Sequence, residues 1–148
     1  PFSSNTLVGE PYVVSFFFTS CRTICPQVMG AVRGTLDKAK GRNVSLRAIS
    51  LTVDPVTDTP AKLTQYIAEA KLTDPRWTLL TGSEKDLETV IVKGFMAYVG
   101  EREDLPGGLF DIGHEGRMML VDKLGRLRGL YELDAEAQTR LVDDAGRI

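Results

Sequence analysis

Eight residues early in the chain narrow the choice of fold more than any other segment. Tyr12-Val13-Val14-Ser15-Phe16-Phe17-Phe18-Thr19 is an almost unbroken run of β-branched and aromatic side chains. A strand with one wet face alternates apolar and polar residues, so a run without alternation predicts a central strand covered on both faces. Pro26 then falls where the first turn of a helix tolerates a missing N–H. Val28, Val32, Leu36 and Ala39 follow at near-helical spacing, and Gly41 is expected to end that helix.

The remaining segments repeat the alternation of strand and helix. Residues 44–53 (VSLRAISLTV) read as a second strand, and Asp58-Thr59-Pro60 supplies caps and a first-turn proline for a helix striped by Leu63, Tyr66, Ile67 and Ala70. Trp77-Thr78-Leu79-Leu80 is a short strand. Ser83 with Asp86 resembles a capping box, ahead of Leu87, Val90, Ile91, Gly94, Phe95 and Tyr98 on one helical face. Residues 99–113 are charged, contain Pro106-Gly107-Gly108 and lack periodicity, which predicts a functional or mobile loop. Met118 to Val121, a turn over 122–125 and Leu127 to Tyr131 predict a hairpin, and residues 134–145 a closing helix. The order β-α-β-α-β-α-β-β-α implies an α/β fold: parallel crossovers, then an antiparallel hairpin, in a central mixed sheet flanked by helices on both faces. A site is expected at the carboxyl ends of its strands, where Cys21 leaves the first of them.

Composition limits the function classes. The length of 148 residues fits one domain spanning 1–148, and 43% hydrophobic with 26% charged residues is ordinary for a globular core. No stretch approaches the roughly 18 apolar residues of a membrane span, so this segment is expected to make no membrane contact of its own. A net charge of −2 with scattered basic residues leaves no footprint for nucleic acid. The start at Pro1 carries no signal peptide and suggests a mature fragment that lacks an upstream anchor.

Two cysteines and one histidine carry the chemistry. Cys21 and Cys25 stand four residues apart where a strand passes into a helix. Helix-start N–H groups, the dipole and the neighbouring Arg22 all favour thiolate, which is both the nucleophile of disulfide exchange and a ligand for soft metals. A spacer of three residues permits a disulfide and also lets both sulfurs face one external point. Two thiolates suit linear Cu(I). Adding the imidazole of His114 gives a set acceptable to Cu(I) and, with a further ligand, Cu(II). Three plainer readings stand beside this one: a redox dithiol without metal, two inert buried thiols, and a histidine with only a structural role. Asp58 reads as helix cap and turn former, and together with Asp54 as a tuner of the site or a receiver of a copper donor. Met29, Met118 and Met119 read as core packing, with soft outer ligation as the alternative.

The run FFFTSCRTICP resembles the Sco/SenC family, with its aromatic strand, Thr-Ser and Cys-x-x-x-Cys-Pro. The segment Asp54-Pro55-Val56-Thr57-Asp58-Thr59-Pro60, the Leu79-Leu80-Thr81-Gly82 strand end, and His114 followed by Met118-Met119-Leu120-Val121-Asp122-Lys123-Leu124-Gly125 extend the likeness over nearly the whole chain. The resemblance implies a thioredoxin-like fold, anchored in the full-length protein and facing the periplasm or the mitochondrial intermembrane space. It implies copper held by Cys21, Cys25 and His114, and a role in delivering copper to, or keeping reduced, the dinuclear copper centre of a cytochrome oxidase subunit. A copper donor or a thiol reductant is the other partner expected. A thiol–disulfide oxidoreductase using Cys21 and Cys25, or a redox or copper sensor, is the rival class. Departures are Gly113 where the family often has an acid before the histidine, the Pro-Gly-Gly segment, and a largely missing first hairpin.

Overall fold

The computed structural model describes residues 1–148. In chain order the elements are β1 (Tyr12–Phe17), α1 (Cys25–Gly41), β2 (Arg47–Thr52), α2 (Pro60–Glu69), β3 (Trp77–Leu80), α3 (Glu84–Glu88), β4 (Val99–Asp104), β5 (Phe110–His114), β6 (Met118–Val121), β7 (Leu127–Tyr131) and α4 (Ala135–Ala145). The central sheet has the order β3-β2-β1-β6-β7. β1, β2 and β3 are parallel, whereas β6 runs antiparallel to both β1 and β7. All six residues of β1 are buried, as its unalternating sequence requires.

The two parallel crossovers step in the same direction, so right-handed connections place α1 and α2 on one face of the sheet. The return past β1 to β6 reverses direction and places α3 on the other. Adjacent phenylalanines on β1 record both sides. Phe17 stacks on Tyr66 of α2 at 5.7 Å, while Phe16 meets Phe95, beyond α3, edge-on at 6.1 Å. Between β1 and β2 the buried hydroxyls of Ser15 and Ser50 bond to each other at 2.7 Å, and the Trp77 indole N–H donates to Ser50 at 2.9 Å. No buried polar atom in that layer is left without a partner, which is the condition for polar groups inside a sheet. No helix is long and apolar enough to cross a membrane.

Three segments depart from the sequence reading. After α1 the chain reverses through Asn43, whose φ of 56° is left-handed, so Gly41 remains helical and β2 begins at Arg47. The stripe from Leu87 to Tyr98 is not one helix: α3 ends at Glu88, and a π-helical turn occupies Thr89–Gly94. Thr89-Val90-Ile91-Val92 places four β-branched residues in succession, a poor stretch for regular α-helix. Residues 99–113 are not a loop. β4 and β5 form an antiparallel hairpin and a sheet of their own, turned by a 3-10 segment at Pro106–Gly108 with Gly107 and Gly108 at φ of 80° and 75°. The arm is exposed along most of β4, so it carries no apolar alternation for a sequence pattern to reveal.

Candidate metal centre

The first thiol is placed by backbone geometry at the end of β1. The Cys21 N–H donates to the carbonyl of Phe18 at 3.0 Å, turning the chain at the carboxyl edge of the sheet. Cys25 opens α1, and Ile24 before it offers no side-chain cap. The Cys25 N–H donates instead to Cys21 Sγ at 3.4 Å, so the sulfur takes the place of a capping oxygen. Thr23 Oγ1 lies 3.6 Å from the same sulfur. A hydrogen bond from Cys25 is the largest influence on the Cys21 thiol; it, the His114 imidazole and the Thr23 contacts outweigh burial and lower its pKa to about 3. Cys25 moves in the opposite direction, pushed up by its bond to Cys21 and by burial. The opposite directions favour thiolate at Cys21 over Cys25. Arg22 is exposed and belongs to none of the ion pairs.

The third group comes from the far end of the sequence. His114 is the last residue of β5 rather than an isolated residue ahead of β6. Its Nδ1 lies 2.9 Å from the Glu115 carbonyl, an acceptor only, which selects the neutral tautomer with the proton on Nδ1 and a lone pair on Nε2. That Nε2 is 3.4 Å from Cys25 Sγ. The two sulfurs and one ring nitrogen all lie within 4.8 Å of one another. A three-coordinate ion about 2.0–2.3 Å from each donor needs them roughly 3.5–4 Å apart, so this set fits one soft ion after a small inward adjustment.

Asp58 and Asp54 lie outside that group. The cap of α2 is Thr59, whose hydroxyl accepts from the Lys62 N–H at 3.3 Å, so the reading of Asp58 as helix cap is corrected. The fully buried Asp58 carboxylate instead accepts from the Thr19 N–H at 3.0 Å, from the Thr19 hydroxyl, and from the Thr52 hydroxyl at 2.6 Å. It thereby ties the segment leading to Cys21 to the end of β2. Asp54 Oδ1 accepts from the Thr57 N–H at 3.5 Å, and Oδ2 is buried without a partner. Met29, Met118 and Met119 are buried in the core; the Met118 sulfur accepts from the Thr35 hydroxyl.

Several residues at the site had no signature in the sequence reading. The Glu115 carbonyl that orients the imidazole is a backbone atom, invisible to any side-chain pattern. The rings of Phe18 and His114 meet edge-to-face at 5.9 Å, a contact that a buried aromatic residue does not advertise. The Tyr66 hydroxyl has its pKa pushed up to about 12, mainly by burial and further by the nearby sulfurs, so it stays a neutral phenol at the edge of the site.

The family model described as SCO1/SenC matches residues 1–146. The chain belongs to the SCO1/SenC family. Its relative in Bacillus subtilis, a SCO1 protein homolog, is 33% identical over 126 residues, which are 84% of this chain and 63% of that protein. The chain therefore spans less than two thirds of the relative's length. The solved structure of BsSco, described as a member of the Sco family of cytochrome c oxidase assembly proteins with a disulfide switch, is 30% identical. It superposes with a TM-score of 0.78 over 97% of this chain and 84% of its own. ScoI of Bradyrhizobium japonicum, solved with copper bound, gives a TM-score of 0.80 at 24% identity over 97% of this chain and 88% of its own, a likeness of fold. The mixed five-stranded sheet with helices on both faces is thioredoxin-like, as the resemblance implied.

Proposed function

We propose that this SCO1/SenC chain binds one copper ion through Sγ of Cys21, Sγ of Cys25 and Nε2 of His114, and passes it to a cytochrome oxidase subunit. The observation that carries the reading is the imidazole lone pair held 3.4 Å from Cys25 Sγ by a residue distant in sequence. Its tautomer is already the ligating one, because the Glu115 carbonyl holds the proton on Nδ1. Two thiolates and an imidazole are soft to intermediate donors, which suits copper in either oxidation state. The B. japonicum protein of the same fold holds copper, and BsSco belongs to a family of oxidase assembly proteins, which supports the direction of delivery. Loading displaces the proton from Cys25, so uptake weakens as pH falls. Release proceeds by ligand exchange: an incoming donor replaces one sulfur before the next leaves, which a low coordination number allows. The cellular setting proposed is extracytoplasmic, with the chain held at a membrane by a part of the protein other than this one.

A second reading has its own support in the asymmetric pair. Cys21 as thiolate attacks a partner disulfide, and Cys25 resolves the mixed disulfide, leaving the partner reduced and Cys21–Cys25 oxidised. The variant His114→Ala separates the two. Reduced protein titrated with Cu(I) and Cu(II) is expected to take up one equivalent with thiolate-to-Cu(II) charge transfer. His114→Ala is expected to weaken uptake at least tenfold, within the range seen on removing a ligand-shell group, while leaving dithiol exchange near wild type. Uptake no greater than that of a Cys21→Ser, Cys25→Ser control would leave the dithiol reading standing.

A further inference from the structure

The imidazole reaches the sulfurs from an arm that the central sheet does not hold. β4 and β5 pair as strands only with each other, and a lone two-stranded hairpin is marginal in water. Residues Glu101 to Asp104 of β4 are exposed. Something other than a β-ladder must therefore fix where His114 sits.

Ile112, midway along β5, is buried in the core and seats the arm, and beside it the aromatic contacts of Phe110 and His114 converge on one ring. Phe110 and His114 occupy positions i and i+4 of β5 and share a face of that strand. Phe110 stacks on Phe18 with centroids 5.8 Å apart and an interplanar angle of 23°. His114 meets the same Phe18 edge-on at 5.9 Å and 82°. Phe18 itself is 1% exposed, immobilised at the end of β1, and its carbonyl holds the Cys21 N–H. One aromatic residue thus touches the arm, the imidazole and the backbone of the thiolate residue. The outer end of the arrangement is closed by Arg102, whose guanidinium lies over the Phe110 ring at 3.7 Å from its centroid. Arg102 comes from β4, so the cation–π contact also joins the two strands of the arm.

We propose that Phe110, stacked on Phe18 and covered by Arg102, is the positioning residue that holds the His114 imidazole over the Cys21–Cys25 pair. The proposal rests on the metal reading above and concerns how the third donor is presented. Phe110 touches no sulfur and donates no ligand. Ile112 seats β5 in the core, and the Phe110 stack fixes the orientation of the strand on the side of the sulfurs, so that the imidazole is pre-placed and its ordering is not charged against binding. Arg102 acts one step further out, by shielding the exposed face of Phe110 from water.

The test is a double-mutant cycle on reduced protein with copper as the probe, read beside the imidazole proton resonances of the metal-free protein. Phe110→Ala is expected to lower copper affinity about tenfold, as loss of a group that orients a ligand does, and Arg102→Ala to lower it less. The pair Phe110→Ala, His114→Ala is expected to bind no more weakly than His114→Ala alone, because the aromatic acts only through the imidazole. Phe110→Tyr restores the affinity. Without metal, Phe110→Ala shifts the His114 ring protons away from the position that the Phe18 ring imposes, while a thiol assay still counts two reactive cysteines. Equal loss in the presence and absence of His114, or unmoved imidazole resonances in Phe110→Ala, would overturn the proposal. Should the wild-type protein take up no copper, the function proposed above falls, and the metal-free resonances alone decide whether Phe110 positions the ring.

Discussion

Asp58 shows how much one buried carboxylate can organise. It has no cation for a partner; two threonines and one backbone N–H satisfy it. Thr52 passes the arrangement on, since its oxygen also accepts the Asp54 N–H at 3.0 Å. Replacing the carboxylate by an amide leaves one acceptor oxygen and turns an NH2 group toward hydroxyls that were donating. Asp58→Asn is therefore expected to lower stability by about 2 kcal/mol, the scale of hydrogen bonds to a charged group, measured by urea denaturation. It should also slow alkylation of Cys21 at neutral pH, because Thr19 no longer fixes the segment that presents the thiolate to the start of α1. A stability loss with Cys21 reactivity unchanged would make Asp58 a structural tie alone. The sequence offered Asp58 and Thr59 as neighbouring candidates for the cap of α2, and spacing cannot choose between them. The choice depends on which side chain faces β1, and only the fold decides that.

Elements built from local rules were legible; those stabilised by distant contacts were not. Ser83 caps α3 through the Asp86 N–H at 3.1 Å, and Asp134 caps α4 through the Ala137 N–H at 2.9 Å, within the boundaries that the sequence implied. The β6–β7 turn follows the same logic. Asp122 accepts from the Leu124 and Arg126 N–H groups at 2.9 and 3.0 Å and from the guanidinium groups of Arg126 and Arg128, while Gly125 takes a φ of 82°. The Arg126 and Leu124 N–H groups and the two arginines hold the Asp122 carboxyl well below the usual carboxylate range. A depressed acid stabilises the fold fully above the pKa of the unfolded chain, near 4, and loses that contribution as pH falls toward the folded value. The stability advantage of wild type over Asp122→Asn is thus expected to be constant from pH 7 to about pH 5 and to shrink below about pH 4, in urea titrations at each pH. An advantage that instead grew on acidification would contradict this account. The β4–β5 arm had no such local signal. With solvent along most of β4, its strand residues were free to be Glu101, Arg102, Glu103 and Asp104, a composition that reads as loop.

At the scale of the whole molecule a single core joins β1, β2, β6 and the helices on both faces. Leu120 lies in it, fully buried on β6 and in register with Val13 of β1. Leu120→Ala is expected to cost about 3 kcal/mol, within the range for a buried leucine truncated to a cavity. Trp77 fluorescence and far-ultraviolet circular dichroism should report the same midpoint, because both read one cooperative core; separated midpoints would divide it. The sequence by itself determined the central strand, the order of strands and helices, most of the caps and the placement of the thiol pair at a strand–helix junction. Each of these follows from burial patterns and hydrogen bonds spanning a few residues. Only the tertiary structure decided that Nε2 of His114 meets Cys25 across 89 residues, that Asp58 serves Thr19, and that residues 99–113 form an arm stacked on Phe18. The Asp58 contact arises when β2 is laid beside β1, the other two when the chain crosses back over β1 to add β6, and no local pattern encodes the direction from which a distant side chain will arrive.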